Sequence, residues 1–154
     1  MNSEQRNTAA DSEVVVLLAE DDDQIRQLIT AVLSSQGWTV LSAPNAAEAL
    51  RIFYDRRRQI DLLLTDVEMG EGMNGFALAE RVLLDKPGVA VLVISGIYEA
   101  SSVPAGKCLP FLRKPFTVTA LIQNVQEVLA ARSRKRLEGE YSAARSAEVA
   151  RAQD

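Results

Sequence analysis

Apolar runs of strand length recur along this chain, and four of them stop on a residue that can carry charge or donate a hydrogen bond. The sharpest is Asp61-Leu62-Leu63-Leu64-Thr65-Asp66, where leucines suited to a strand buried on both faces end on a carboxylate. Three glycines between Val67 and Gly75 predict a loop next, so Asp66 stands at the carboxyl end of a core strand. Open parallel sheets bind ligands at that edge, which makes Asp66 a candidate nucleophile or metal ligand. Taken alone, the residue is better explained as a turn former bonded to its own loop backbone. Partners elsewhere in the chain decide between the two readings.

Val14 to Ala19 is another β-branched and leucine run, and it stops on Glu20-Asp21-Asp22-Asp23. Ile25, Leu28, Ile29, Val32 and Leu33 follow at helical spacing as far as Gly37, a helix-ending glycine. Trp38 to Ala43 is a further strand, after which Asn45 can cap a helix and Glu48 can complete a capping box. Ala46, Ala49, Leu50 and Phe53 form that helix's buried stripe. Strand Ile60 to Thr65 is followed by the glycine loop, then by a helix from about Asn74 to Leu84 that Pro87-Gly88 closes. Val89 to Ile94 runs into Ser95-Gly96, and Leu109 to Arg113 runs into Lys114-Pro115. Between them, Pro104 and Gly106 leave room for only a short helix. Thr117 can cap a last helix carrying Val118, Leu121, Ile122, Val125, Val128 and Leu129.

Strands alternating with helices predict an α/β fold of right-handed units, a five-stranded parallel sheet with helices on both faces. All strands then point one way, and Glu20, Asp21, Asp66, Ser95 and Lys114 converge on one edge. A chain of 154 residues with 47% hydrophobic content suits one such domain. The net charge of −4 gives no global case for nucleic-acid binding. Arg56-Arg57-Arg58 is read as a charge run opposing a helix dipole. Histidine is absent and Cys108 is the single cysteine, which removes zinc sites and histidine general-base catalysis together. Met1 to Ser12 lack the apolar core of a signal peptide and no run reaches membrane-spanning length, so a cytoplasmic protein is expected.

Three clustered carboxylates repel one another and call for a hard divalent cation, for which Mg2+ fits. Asp66 can then attack an activated phosphoryl donor to form an aspartyl phosphate, with Ser95 and Lys114 meeting the developing charge. An ionised carboxylate has no proton to lose, so no general base is needed.

With Leu18-Ala19-Glu20-Asp21-Asp22, Leu64-Thr65-Asp66-Val67, Ile94-Ser95-Gly96 and Arg113-Lys114-Pro115-Phe116 in this order and spacing, the chain resembles the receiver domain of bacterial two-component response regulators from about Val14 to Ala131. The resemblance implies a doubly wound, flavodoxin-like sheet with strand order 2-1-3-4-5. It implies that Asp66 is the phosphoacceptor, that Glu20, Asp21, Asp66 and the Glu68 backbone carbonyl hold Mg2+, and that Ser95 and Lys114 contact the phosphoryl group. It also implies a cis Lys114–Pro115 peptide, a switching aromatic at Phe111, and a region from Ile97 to Phe111 that responds to phosphorylation. The phosphoryl source would be a sensor histidine kinase or a phosphotransfer protein, and the downstream protein partner is open, as is the choice of monomer or dimer. Met69-Gly70 replaces the family's usual Met-Pro, and the loop before Gly75 carries one extra residue.

The expected organisation is a mobile lead-in over residues 1–13, a receiver domain over 14–131 and a helical or disordered tail over 132–154. The tail is too short for a DNA-reading domain, and its basic run, Arg132-Ser133-Arg134-Lys135-Arg136, is read as a solvated helix extension. The leading function is a stand-alone phosphorylation switch, not an enzyme acting on other substrates. The alternative is a Mg2+-dependent aspartate-nucleophile phosphatase, in which Glu68 would stand where such enzymes carry their second aspartate.

Overall fold

The computed structural model describes residues 13–96 and 109–152. All but Glu13 of the expected lead-in over residues 1–13, and most of the Ile97 to Phe111 region with its short helix, lie outside the described residues. Five strands, β1 (Val15–Ala19), β2 (Thr39–Ala43), β3 (Leu62–Asp66), β4 (Ala90–Ser95) and β5 (Phe111–Arg113), form one parallel sheet. Their order is β2-β1-β3-β4-β5, as expected. Four described helices join them: α1 (Asp23–Ser35), α2 (Ala46–Arg56), α3 (Gly75–Asp85) and α4 (Val118–Ala152).

Alternation along each strand divides the core in two. Leu17, Leu63, Val91 and Val93 face α2 and α3, packing with Phe53, Leu78 and Val82. Val16, Leu18, Leu62, Leu64, Leu92 and Ile94 face α1 and α4, packing with Ile29, Leu33, Leu121 and Val125. Strands covered on both faces need continuous apolar sequence, and each fully buried leucine stabilises the fold by about 1.5–3 kcal/mol.

Helix starts are set by side-chain caps. Asp22, Asn45 and Asn74 accept the backbone N–H of Ile25, Glu48 and Ala77 at the heads of α1, α2 and α3, and Thr117 accepts that of Ala120 in α4. The Glu48 carboxylate, expected to reach back over the cap, pairs instead with Arg51 at 3.0 Å. Gly37, just past α1, has φ +87°, the left-handed conformation that ends a helix most cheaply with glycine.

Two features tie down the sheet edge opposite the acidic cluster. Asp61 lies just before β3; its Oδ2 accepts the Val15 N–H at 2.9 Å and its Oδ1 accepts Arg132 Nη1 at 2.8 Å. Arg132 also donates to the Gly88 carbonyl at 2.8 Å, so the first arginine of the basic run is a clamp holding α4 to the sheet. Beyond it α4 continues unbroken to Ala152, with Leu137, Tyr141 and Val149 exposed.

Candidate functional site

Four consecutive acids after β1 take four different positions. Glu20 continues the strand line, its N–H donating to the Ala43 carbonyl at 3.1 Å, and its side chain is buried at 1% exposure. Asp21 is exposed at the rim. Asp22 caps α1, and its own N–H donates to Glu20 Oε1 at 3.2 Å. Asp23 lies in the first helical turn and pairs with Arg26, whose guanidinium also donates to the Glu20 carbonyl at 2.9 Å. The helix therefore consumes two of the acids and presents the other two to the sheet edge.

Asp66 is the last residue of β3, in register with Ile94 of β4, and is nearly buried. The ladder runs one step past it, because the Val67 N–H donates to the Ile94 carbonyl at 2.9 Å. The chain then loops and returns at Gly75, whose N–H donates to the Val67 carbonyl at 2.9 Å. The return is so close that a Cβ on Gly75 would fall 2.0 Å from the Asp66 carbonyl oxygen, a space only glycine leaves free. Gly70 and Gly72, with φ +70° and +95°, make the loop's bends.

Lys114 enters from the end of β5, where its N–H donates to the Ser95 carbonyl at 2.9 Å and the Lys114–Pro115 peptide is cis, as expected. Its Nζ lies 3.3 Å from Asp66 Oδ2 and 3.4 Å from Glu20 Oε2, bridging the ends of β3 and β1. Ser95 is fully buried, and its hydroxyl donates to Glu68 Oε1 at 2.7 Å. That bond was not foreseen, since Glu68 entered the sequence reading through its backbone carbonyl and an alternative catalytic role. Phe111 opens β5 two rungs from Ser95 on the β4–β5 ladder, half-buried against the α2/α3 side of the core.

The electrostatics follow from burial. Desolvation, then the charge of Asp66, pushes the Glu20 carboxyl up to about 7. Desolvation likewise raises Asp66 against the opposing pull of Lys114. Burial works against the Lys114 ammonium, but Asp66 and Glu20 together outweigh it and hold its pKa above the ordinary lysine value. With Glu20 and Asp66 both ionised, the single Lys114 ammonium leaves one negative charge unbalanced, which a bound cation would offset. Carboxylate oxygens of Glu20, Asp21 and Asp66 come within 4.8 Å of one another. An all-oxygen, anionic donor set of this kind suits Mg2+, and the chain has no histidine to offer a softer metal.

Sequence and structure comparisons agree with this arrangement. The family described as response regulator receiver domain matches residues 16–126. The response regulator receiver protein CpdR of Brucella abortus is 32% identical over 121 residues, covering 75% of this chain and 97% of that protein. The sensor kinase CckA of the same organism is 33% identical over 128 residues, 81% of this chain but only 13% of that protein. Among solved structures, a response regulator receiver domain protein from Clostridium thermocellum superposes with a TM-score of 0.70 at 28% identity, over 80% of this chain and 98% of that one. Several curated relatives are much longer: the chain spans 26% of the transcriptional regulatory protein GlrR of Escherichia coli. Domains of this kind bind Mg2+ at an acidic cluster and meet histidine kinases or phosphotransfer proteins. A match that runs from β1 into α4, on a sheet of this order ending in this acidic edge, leaves one conclusion: the chain belongs to the receiver domains of two-component response regulators.

Proposed function

We propose that Asp66 is the phosphoacceptor of a stand-alone response regulator, charged by a sensor histidine kinase or phosphotransfer protein and read out through protein contacts. The observation that carries this reading is Lys114 Nζ, within 3.4 Å of both Asp66 and Glu20 at the carboxyl edge of the sheet. An Asp66 carboxylate oxygen attacks the phosphorus of a phosphohistidine in line; the new P–O bond forms as the P–N bond breaks, and the departing nitrogen keeps the bonding pair. Lys114 balances the charge gathering on the phosphoryl oxygens, and the Ser95 hydroxyl donates to one of them. Glu20, Asp21, Asp66 and the Glu68 carbonyl would hold Mg2+, which supplies Lewis-acid charge to the phosphoryl oxygens. Phe111 is the aromatic that answers a movement of Ser95.

The receiver unit is residues 14–131, and α4 continues beyond it to Ala152. Support for a stand-alone regulator is the match to CpdR over 97% of that protein. A cytoplasmic setting fits the need to meet a kinase's phosphohistidine, and no described helix is long and apolar enough to cross a membrane. Incubation with acetyl phosphate and Mg2+ should add one phosphoryl group by intact mass, and Asp66→Asn should abolish it. Equal labelling of that variant would remove Asp66 from the role.

A further inference from the structure

The Glu68 carboxylate has no part in the chemistry above, yet it accepts the proton of the residue that chemistry requires as a donor, at 2.7 Å. A serine hydroxyl carries a single proton, and an ionised carboxylate can only accept. While Ser95 donates to Glu68 it cannot donate to a phosphoryl oxygen. We propose that the Glu68 side chain is a resting-state latch, which engages the Ser95 proton until a phosphoryl group enters and is then displaced so that Ser95 can turn its donor to that group. The inference rests on the phosphoacceptor reading of Asp66 and the donor reading of Ser95.

Three features fit a side chain that moves on a backbone that does not. The Val67 N–H is fixed to the Ile94 carbonyl and the Val67 carbonyl to the Gly75 N–H, both at 2.9 Å, so the chain entering Glu68 is pinned from two sides. The Glu68 side chain, by contrast, leaves a glycine-bearing loop and is only half-buried, so it has solvent to swing into. Finally, the Glu68 charge already acts unfavourably on Asp66. A phosphoryl group on Asp66 places further negative charge beside it, so repulsion drives the carboxylate out as the better acceptor arrives. Release of the latch and capture of Ser95 favour the same end state.

The test is a double-mutant cycle on acetyl phosphate labelling in Mg2+, with rates read by intact mass for the parent chain, Glu68→Ala, Ser95→Ala and the double variant. Glu68→Ala should label about tenfold faster, the rate equivalent of one charge-assisted hydrogen bond removed from the resting state. Glu68→Gln, which keeps an acceptor, should fall between the two. In the Ser95→Ala background the gain from Glu68→Ala should shrink below about twofold, because no latch remains to open. An equal gain in both backgrounds would show that Glu68 acts by charge alone and would overturn the latch, as would unchanged or slower labelling of both Glu68 variants. A parent chain that takes no label would overturn the phosphoacceptor reading as well, whereas a labelled parent with an uncoupled pair would overturn the latch only. Should Glu68→Ala not fold, the nearly isosteric Glu68→Gln completes the same cycle.

Discussion

Glu20 has two demands placed on one carboxylate. Folding buries it beside Asp66, which lifts its pKa from 4.5 to about 7, while a cation needs it ionised. The raised value means that the folded chain binds more protons than the unfolded one between those two pH values. Without metal, its contribution to stability is fully present below pH 4.5 and is lost as pH rises through about 7. Mg2+ binding should run the opposite way, strengthening about tenfold from pH 6 to pH 8 with release of a proton. Calorimetric titration in buffers of different ionisation enthalpy measures both the affinity and the proton; a pH-independent affinity would remove Glu20 from the metal's shell. Glu20, Asp66, Ser95 and Lys114 were legible in the sequence because each ends an apolar run, and a parallel sheet gathers such ends. The Ser95–Glu68 bond was not, because a glycine-rich loop gives no sequence rule for where its side chains turn.

At the scale of elements, the loop from β3 to α3 is closed by one residue. Gly75 is the first residue of α3 after the Asn74 cap, and glycine is required there by the Asp66 backbone against which it packs. Gly75→Ala should destabilise the domain by about 3 kcal/mol in chemical denaturation, since neither backbone can yield, and should slow labelling of Asp66. The other unforeseen tie, Arg132 to Asp61, spans 71 residues and joins two polar positions that no local pattern connects. It marks where α4 stops being held by the sheet. Amide exchange should divide this helix near Arg132, with strong protection before it and weak protection after, because an unpacked helical stretch is marginal in water. Arg132→Ala should cost about 1–2 kcal/mol and carry the boundary toward the amino end; a helix protected evenly to Ala152 would mean that something else covers the extension.

For the whole molecule, alternation of apolar runs with helical repeats was enough to call a parallel sheet covered on both faces, and the resemblance to receiver domains supplied the strand order. What it could not supply was which side chains meet across each face, since that depends on contacts between residues distant in sequence. The resulting division has a mechanical side. The sheet is a bulkhead between two compartments, and residues adjacent in the chain live in different ones: Leu63 packs toward α2 and α3, Leu64 toward α1 and α4. Leu63→Val and Leu64→Val, at about 1 kcal/mol each, should therefore sum to within about 0.5 kcal/mol despite sharing a peptide bond. Leu63→Val combined with Leu17→Val, its partner in register within the same compartment, should depart from the sum. Sequence distance and energetic distance then run in opposite directions, and a void opened on one side of the sheet has no means of being filled from the other.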